Sequence, residues 1–152
     1  MGFRRCDHIV GVTITPLKVI EDHRGAVMHM FHAEHPAFKT FGEIYFSKIN
    51  FGVTKGWKYH QRMTQNFAVP FGQLALTILD DRQHSQTQGH FIHIQLGLPD
   101  HYQLVTVAPD LWYAFRSTSE GGTLLANCAD MGHDPEESAQ KPLEAFLIDS
   151  TI

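Results

Sequence analysis

A small cluster of proton-transfer side chains lies within residues 52–72. Lys58 and His60 are two residues apart in a stretch of strand-like composition, so both side chains should project from the same face of one strand. Gln65 should join them from the next strand. An amine and an imidazole held side by side can take a proton from a bound molecule and return it, which is general acid–base chemistry.

The residue types leave the direction of proton transfer open. A lysine ammonium buried beside another cation gives up its proton more readily, so Lys58 next to His60 or Arg62 could be the base, with His60 or Tyr113 as the acid. The reverse assignment, with His60 as the base and Lys58 stabilising a developing oxyanion, fits the sequence equally well. A third interpretation involves no chemistry, with Lys58 extended along a core and His60 satisfied by hydrogen bonds.

The same cluster argues against a bound transition metal. A metal ligand needs a lone pair, whereas the ammonium of Lys58 offers a positive charge. None of the 11 histidines lies in an HExxH or a Cys/His zinc pattern. We therefore predict neither a metal nor another cofactor.

Short strands must position these side chains. Runs rich in Val, Ile, Phe, Thr and Tyr alternate with Gly, Pro, Asp and Asn, a pattern typical of an antiparallel sandwich or barrel. Long amphipathic helices are absent from the sequence pattern, and the tail from Gly132 onward should pack on the sandwich. The predicted strands are residues 9–15, 25–31, 43–50, 52–59, 66–69, 73–80, 90–96, 102–107, 111–116 and 123–128.

Length, composition and charge limit the fold and the partners. A chain of 152 residues with 43% hydrophobic residues predicts one domain over residues 1–152. The net charge of −4 and the lack of a basic block predict no nucleic-acid or membrane partner. No run is apolar and long enough for a membrane span or a secretory signal. Cys6 and Cys128 are far apart and form no CxxC pair, which favours reduced thiols in the cytoplasm.

The spacing in this segment resembles the first cupin motif, Gly-x5-His-x-His-x4-Glu-x6-Gly. Gly52, Gly72 and His60 occupy matching positions, while Lys58 stands at the first His and Gln65 at the Glu. In that motif, alternate residues of one strand point into a jelly-roll barrel. The resemblance therefore implies an all-β cupin jelly roll, a sandwich or barrel with little helix.

A wider set of motifs resembles the dTDP-4-dehydrorhamnose 3,5-epimerases. Residues 21–25, Glu-Asp-His-Arg-Gly, are similar to the family's Asp-x-Arg-Gly, and residues 55–60, Lys-Gly-Trp-Lys-Tyr-His, stand in the place of its Arg-Gly-Leu-His-Tyr-Gln. Residues 79–82, Leu-Asp-Asp-Arg, stand in the place of Val-Asp-Leu-Arg. Residues 104–115 resemble its strand that ends in Ile-Pro-x-Gly-x-x-His-Gly-Phe.

This resemblance implies a homodimer of jelly rolls that binds a nucleotide-linked 4-keto-6-deoxy sugar, with a His base paired to an Asp and a Tyr acid across the sugar ring. Position by position, the family's His falls on Lys58, its Tyr near Ala126 and its Asp near Leu147, so the three identities are replaced. The phosphate-contacting arginines match Arg24 and, in charge only, Lys55.

Together, these motifs predict an epimerase or isomerase that removes a proton next to the ketone of such a sugar without a metal. One alternative is a non-catalytic cupin that binds a carbohydrate or a sugar nucleotide, and another is a metal-dependent cupin such as a dioxygenase. The predicted catalytic residues are Lys58, His60 and Tyr113. The predicted substrate-binding residues are Arg24, Lys55, Trp57, Arg62, Gln65 and Asn66.

Overall fold

Residues 2–148 are described by the computed structural model, and their regular structure is almost entirely β. Within these residues the helical elements are two short 3-10 turns, Pro135–Glu137 and Leu143–Ala145. No helix in this part is long and apolar enough to cross a bilayer. The strands are β1 Arg4–Arg5, β2 Val12–Pro16, β3 Val19–Asp22, β4 Gly25–Met28, β5 Glu43–Ile49, β6 Thr54–His60, β7 Gln65–Phe71, β8 Leu74–Asp80, β9 His90–Leu96, β10 Gln103–Val107, β11 Trp112–Ser117, β12 Thr123–Ala129 and β13 Ser138–Gln140.

Two sheets form the sandwich. The six-stranded sheet has the order β1-β9-β8-β11-β6-β13, and the five-stranded sheet has the order β2-β10-β7-β12-β5. Apart from the parallel pair of β1 and β9, neighbouring strands run antiparallel. The hairpin of β3 and β4 forms a separate two-stranded sheet. The predicted all-β architecture with little helix is confirmed.

The main core lies between the sheets and follows the alternation of the strands. On β9, Ile92, Ile94 and Leu96 are buried in this core, whereas Gln95 is exposed on the other face. Facing strands contribute Phe67 and Val69 in the same way. Because side chains alternate with a period of two, a polar residue at an inward position of these strands must lie inside the sandwich.

A second apolar cluster covers the outer face of the six-stranded sheet. Trp57, Phe91 and Trp112 are its large members. The chain ends close over it, with the ring of Phe146 at 5.4 Å from that of Trp57 and 5.5 Å from that of Phe3. The tail thus packs on the sandwich, as the sequence predicted, and brings residues 135–140 alongside β6.

The ten predicted strands are all present, with ends that differ by up to three residues. The sequence pattern did not predict β1, β3 or β13, which are short.

The motif at residues 79–82 anchors a loop, because the buried carboxylate of Asp80 accepts hydrogen bonds from Arg82, Ser85 and Thr87. Burial alone would raise the pKa of Asp80, but these three partners hold that pKa well below its usual range.

Candidate active site

Strands β6 and β11 bring the three predicted catalytic side chains together. On β6, the alternation turns Lys58 and His60 toward the inside of the sandwich and Trp57 and Tyr59 toward the outer cluster. Tyr113 on β11 stands directly opposite Lys58 in the antiparallel register and therefore shares its face. His60 and Tyr113 are both fully buried, while Lys58 is half-buried.

A buried carboxylate that the sequence analysis did not single out completes a hydrogen-bonded chain. Glu137 Oε1 is hydrogen-bonded to His60 Nδ1, and His60 Nε2 lies 3.2 Å from the hydroxyl of Tyr113. The second oxygen of Glu137 accepts the backbone N–H groups of Arg62, at 3.1 Å, and Met63, at 3.3 Å. The order along this chain is Glu137, His60, Tyr113.

Local structure fixes Glu137 in this place. Its 3-10 turn begins with Asp134, whose side chain accepts the backbone N–H of Glu136 and so caps the turn. The turn leads directly into β13, where Ser138 pairs with His60 in an antiparallel ladder with β6. The carboxylate therefore approaches the imidazole from a neighbouring strand end rather than from a free loop.

The electrostatics of the pair indicate a neutral imidazole beside an ionised carboxylate. Burial lowers the pKa of His60 below its ordinary value, and this effect outweighs the hydrogen bond that His60 donates to Glu137, which raises that pKa. Burial raises the pKa of Glu137, but hydrogen bonds from His60 and from the backbone at Arg62 and Met63 bring it below its ordinary value. With Nδ1–H donated to Glu137, the lone pair of Nε2 is left to accept the O–H of Tyr113.

A cavity of about 380 Å³ opens on the other side of Tyr113. Its volume falls in the usual range of small-molecule sites, about 300 to 1,000 Å³. Burial holds the pKa of Tyr113 well above that of a free phenol, so its hydroxyl keeps its proton. The cavity is lined by side chains from β5, β6, β11 and β13, namely Ser47, Thr54, Lys58, Tyr113, Phe115 and Gln140.

Gln65 lies on the facing sheet, at the start of β7. Its Oε1 accepts a hydrogen bond from Asn127, and Asn127 also donates to the hydroxyl of Tyr45, at 2.8 Å. Its Nε2 group is buried without an acceptor among the described residues. Gln65 thus lies on the strand after β6, with Asn127 and Tyr45 as its polar neighbours. That it joins Lys58 and His60 in one site remains a prediction.

Two of the predicted substrate-binding side chains have structural partners instead. The indole of Trp57 packs in the outer cluster and donates its N–H to the carbonyl of Leu143, at 3.2 Å, although the backbone at this residue borders the cavity. The amide of Asn66 donates to the carbonyl of Cys128 and accepts from Thr106. Because side chains alternate along each strand, the side chains of both residues lie on the face opposite to the site.

The three predicted substrate-binding cations differ in their position relative to the cavity. Lys55 borders the cavity, and its Nζ donates to the carbonyl of Lys48 at 3.1 Å. Arg62 forms an exposed ion pair with Asp134 at 2.9 Å. Arg24 lies in the β3–β4 hairpin, paired with Asp22, and the chain does not fold it back onto the cavity.

Across residues 2–148, no three His, Cys, Asp or Glu side chains converge into a group that could hold a metal ion. At the site itself, both ring nitrogens of His60 already have protein partners. The two cysteines are free, and burial raises the pKa of each thiol. The predicted absence of a metal remains a prediction, which the donor set at His60 supports.

Sequence analysis did not identify the carboxylate that is hydrogen-bonded to His60. The family alignment put the acidic position near Leu147, which is exposed, whereas the carboxylate that contacts the histidine is Glu137. Ala126, aligned with the family's tyrosine, is buried next to Asn127 on β12. The available signal was the acidic run at residues 134–137, Asp-Pro-Glu-Glu, which the sequence allowed to be either a helical turn or a solvated loop.

Comparisons with known proteins identify the family and the fold of the chain. Residues 7–144 match the sequence model of the dTDP-4-dehydrorhamnose 3,5-epimerase family. A dTDP-sugar isomerase from Desulfovibrio desulfuricans G20, of known crystal structure, is 39% identical with a TM-score of 0.88, over 90% of this chain and 87% of that one. A probable low-salt glycan biosynthesis epimerase of Haloferax volcanii is 27% identical, over 86% of this chain and 84% of its own.

A more distantly related structure also supports the assignment of the fold. The dTDP-6-deoxy-D-glucose-3,5-epimerase of Legionella pneumophila, solved with dTDP-4-keto-L-rhamnose, is 19% identical with a TM-score of 0.80, over 93% of this chain and 78% of that one. The predicted cupin jelly roll is confirmed by these likenesses, and the predicted class, a sugar-nucleotide epimerase or isomerase, is confirmed at the level of the family. The chain belongs to the dTDP-4-dehydrorhamnose 3,5-epimerase family.

Proposed function

We propose that the chain removes a proton from the carbon next to the ketone of a nucleotide-linked 4-keto-6-deoxy sugar and returns a proton to it, with no metal or other cofactor. The observation that carries this proposal is the hydrogen-bonded chain from Glu137 through His60 to Tyr113, which ends at the cavity. Such a chain supplies a positioned base with an orienting carboxylate, which enolisation requires.

His60 is the final proton acceptor in this scheme, and Tyr113 carries the proton to it. Tyr113 lines the cavity and its hydroxyl lies 3.2 Å from His60 Nε2, so we infer that it takes the proton from the sugar carbon while it passes its own to Nε2. Glu137 then stabilises the imidazolium that forms. The proton on His60 therefore leaves no unpaired buried charge, because the imidazolium lies against the carboxylate of Glu137.

Lys58 stabilises the enolate. Lys58 borders the same cavity as Tyr113 and stands opposite it in the strand register. When the proton leaves, negative charge collects on the former ketone oxygen, and a cation already in place needs little rearrangement to stabilise it. Of the two assignments that the sequence allowed, the geometry favours His60 as the base and Lys58 as the stabilising cation.

The nucleotide part of the substrate follows from the family and from the charges at the cavity. The Desulfovibrio relative is a dTDP-sugar isomerase, and the Legionella structure holds a dTDP-linked 4-keto sugar. Lys55 borders the cavity three residues before Lys58 and can contact a phosphate as a point charge. We expect Arg62 at the neighbouring surface to contact the same diphosphate.

A homodimer would bring Arg24 to such a site. The β3–β4 hairpin pairs with no third strand among the described residues, and it exposes Ile20 by 47% and Val27 by 61%. A lone two-stranded hairpin is only marginally stable, so we expect a second copy of the chain to pack against it.

Analytical ultracentrifugation tests this dimer. Sedimentation should give a mass of about twice the 17.2 kDa of the chain, and Val27→Glu should shift the equilibrium from dimer toward monomer. A wild-type monomer at micromolar concentration would contradict this.

The cellular setting and the extent of the domain belong to the same proposal. Cys6 and Cys128 are free thiols, and a reducing cytoplasm is where such thiols persist. The main core draws on both sheets and on strands from β2 to β12. Residues 1–152 are therefore proposed to act as a single cupin-like domain in the cytoplasm.

The pH dependence of turnover tests the role of His60. Burial lowers the pKa of His60, the charges of Lys58 and His133 add to this effect, and the hydrogen bond donated to Glu137 only partly opposes it. The neutral, basic form of the imidazole should therefore persist below its ordinary pKa of about 6.5. The acid limb of kcat/KM with a dTDP-4-keto-6-deoxy sugar should accordingly have its midpoint below about pH 6.5. An acid limb centred above about pH 7 would contradict this assignment.

A further inference from the structure

A second cavity lies on the outer face of the six-stranded sheet, outside the proposed catalytic site. Its volume is about 360 Å³, which is in the usual range of small-molecule sites. Tyr113 and Phe115 of β11 point into the main core, so the side chain of Arg116 lies on the opposite face of that strand. The two cavities therefore lie on opposite faces of one sheet. The lining of the second cavity includes Phe51, Ala75, Thr77, His93, Arg116 and Thr118.

The short side chain of Ala75 makes room for this outer cavity. In the antiparallel register, Ala75 of β8 stands directly opposite Arg116 of β11, and Thr77 stands opposite His93 of β9. Residues two apart on a strand share a face, so these four side chains lie together on the outer face. Because β8 lies between β11 and β9, the methyl group of Ala75 forms a low floor between the longer side chains of Arg116 and His93.

Hydrogen bonds hold two walls of the outer cavity in place. The turn between β5 and β6, which carries Phe51, is bound to the end of β11, because the backbone N–H of Gly52 donates to the carbonyl of Ser117 at 3.0 Å. On the other side, Nδ1 of His93 is hydrogen-bonded to Thr77 Oγ1 at 2.8 Å. A cavity whose walls are already fixed loses little conformational freedom when it binds a ligand.

The lining of the outer cavity carries a positive charge. Arg24, Arg62 and Arg82 each form an ion pair with an aspartate. Arg116 is half-buried, and within residues 2–148 its guanidinium has no hydrogen bond or ion pair. Among the described residues that line the cavity, none is Asp or Glu. A half-buried guanidinium presents its N–H donors in a planar fork, which is complementary to an oxyanion.

Two further groups indicate which oxyanion fits. Thr118 also lines the cavity, and its hydroxyl has no hydrogen-bond partner in the part of the chain that the structure describes. A phosphate ester offers two oxygens to a guanidinium fork and a third to such a hydroxyl, whereas a carboxylate has no third oxygen. Phe51 is 56% exposed and borders the same space, so its ring offers an apolar face to a flat group.

We propose that the outer cavity is a second ligand site, which binds a phosphate ester that carries a flat ring and has about the size of a nucleoside monophosphate. Arg116 binds two phosphate oxygens, Thr118 donates to the third, and Phe51 packs against the ring. This inference goes beyond the proposed function and does not rest on it, because none of these side chains lines the catalytic cavity.

NMR titration of the nitrogen-15-labelled protein with phenyl phosphate tests the site residue by residue. The backbone amide signals of Ala75, His93, Arg116 and Thr118 should shift together and saturate. Signals from the catalytic cavity, such as that of Lys58, report any binding there separately. Arg116→Gln should weaken binding at the outer cavity at least about tenfold, because it removes the charge-assisted hydrogen bonds to the phosphate.

Three variants control for charge, shape and the ring. Arg5→Gln removes the same charge from an exposed arginine on β1 and should bind phenyl phosphate as the wild type does. Ala75→Leu fills the floor of the cavity without a change of charge and should abolish binding, while its half-buried position lets the sheet stay folded, as circular dichroism will show. Phe51→Ala should weaken binding of phenyl phosphate but leave that of inorganic phosphate unchanged.

The possible results separate this site from the catalytic one. Equal affinities of Arg116→Gln and the wild type, or amide shifts confined to the catalytic cavity, would overturn the proposal. Benzoate that binds at least as tightly as phenyl phosphate would overturn the assignment to a phosphate ester. Turnover of a sugar nucleotide is measured in a different experiment, so failure of the proposed function would leave the outer site intact, and the reverse also holds.

Discussion

Replacement of His60 by glutamine is expected to reduce turnover of a dTDP-4-keto-6-deoxy sugar about 1,000-fold, within the usual contribution of a general base. Glutamine can still hydrogen-bond toward Glu137 and Tyr113, the two partners of the imidazole. It cannot accept a proton at neutral pH, so Tyr113 loses the group to which it passes one. The effect should fall on kcat, with KM changed little, because His60 lies behind Tyr113 rather than against the cavity.

A surface histidine provides the control for this variant. His101 is exposed in the turn between β9 and β10, where its backbone, not its ring, holds the bridge to Gly97. His101→Gln should have wild-type kinetics, and the circular dichroism spectra of both variants should match that of the parent. Retention of more than about a tenth of the wild-type kcat by His60→Gln would exclude His60 as the base.

Glu137→Gln should produce a loss of similar size, about 100- to 10,000-fold in kcat. The amide oxygen of glutamine can keep the hydrogen bonds from the backbone of Arg62 and Met63. Its NH₂ group would then donate to His60 Nδ1, which forces the ring hydrogen onto Nε2. That hydrogen would point at Tyr113, and the imidazole could no longer receive a proton from it.

The adjacent residue makes this test specific. Glu136 is exposed in the same 3-10 turn, so Glu136→Gln makes the same change of charge three bonds along the backbone without touching His60. Nitrogen-15 NMR of the His60 ring should show the hydrogen on Nδ1 in the wild type and on Nε2 in Glu137→Gln. Equal activities for the two variants would mean that the carboxylate acts only through net charge.

Much of the sandwich could be predicted from the sequence, because strand alternation and turn residues are local signals. The same alternation predicted that Lys58 and His60 share a face, and the structure brings them together. It also contained the information that Trp57 points the other way, since it is one residue out of phase, and Asn66 stands in the same relation to Gln65. The motif match led us to include Trp57 and Asn66 among the predicted site residues, although a period of two places both on the opposite face.

The partners from distant parts of the chain could not be predicted. Glu137 reaches His60 across 77 residues, and Tyr45 reaches Asn127 across 82. Which strands pair, and in which register, depends on the tertiary packing of both sheets, and a shift of one residue would turn each side chain to the other face. The motif positions aligned with the family therefore did not indicate that Glu137, in the turn before β13, is hydrogen-bonded to His60.

The central claim is that the site removes a proton from the carbon next to a ketone without a metal, and solvent exchange tests it most directly. The wild-type protein, treated with a chelator, should be incubated with a dTDP-4-keto-6-deoxyhexose in deuterated water while proton NMR follows the signals at C3 and C5. The account predicts that at least one of these signals disappears in the presence of the wild type and persists with His60→Gln. Broadened ligand lines without exchange would show binding without chemistry and would contradict the account.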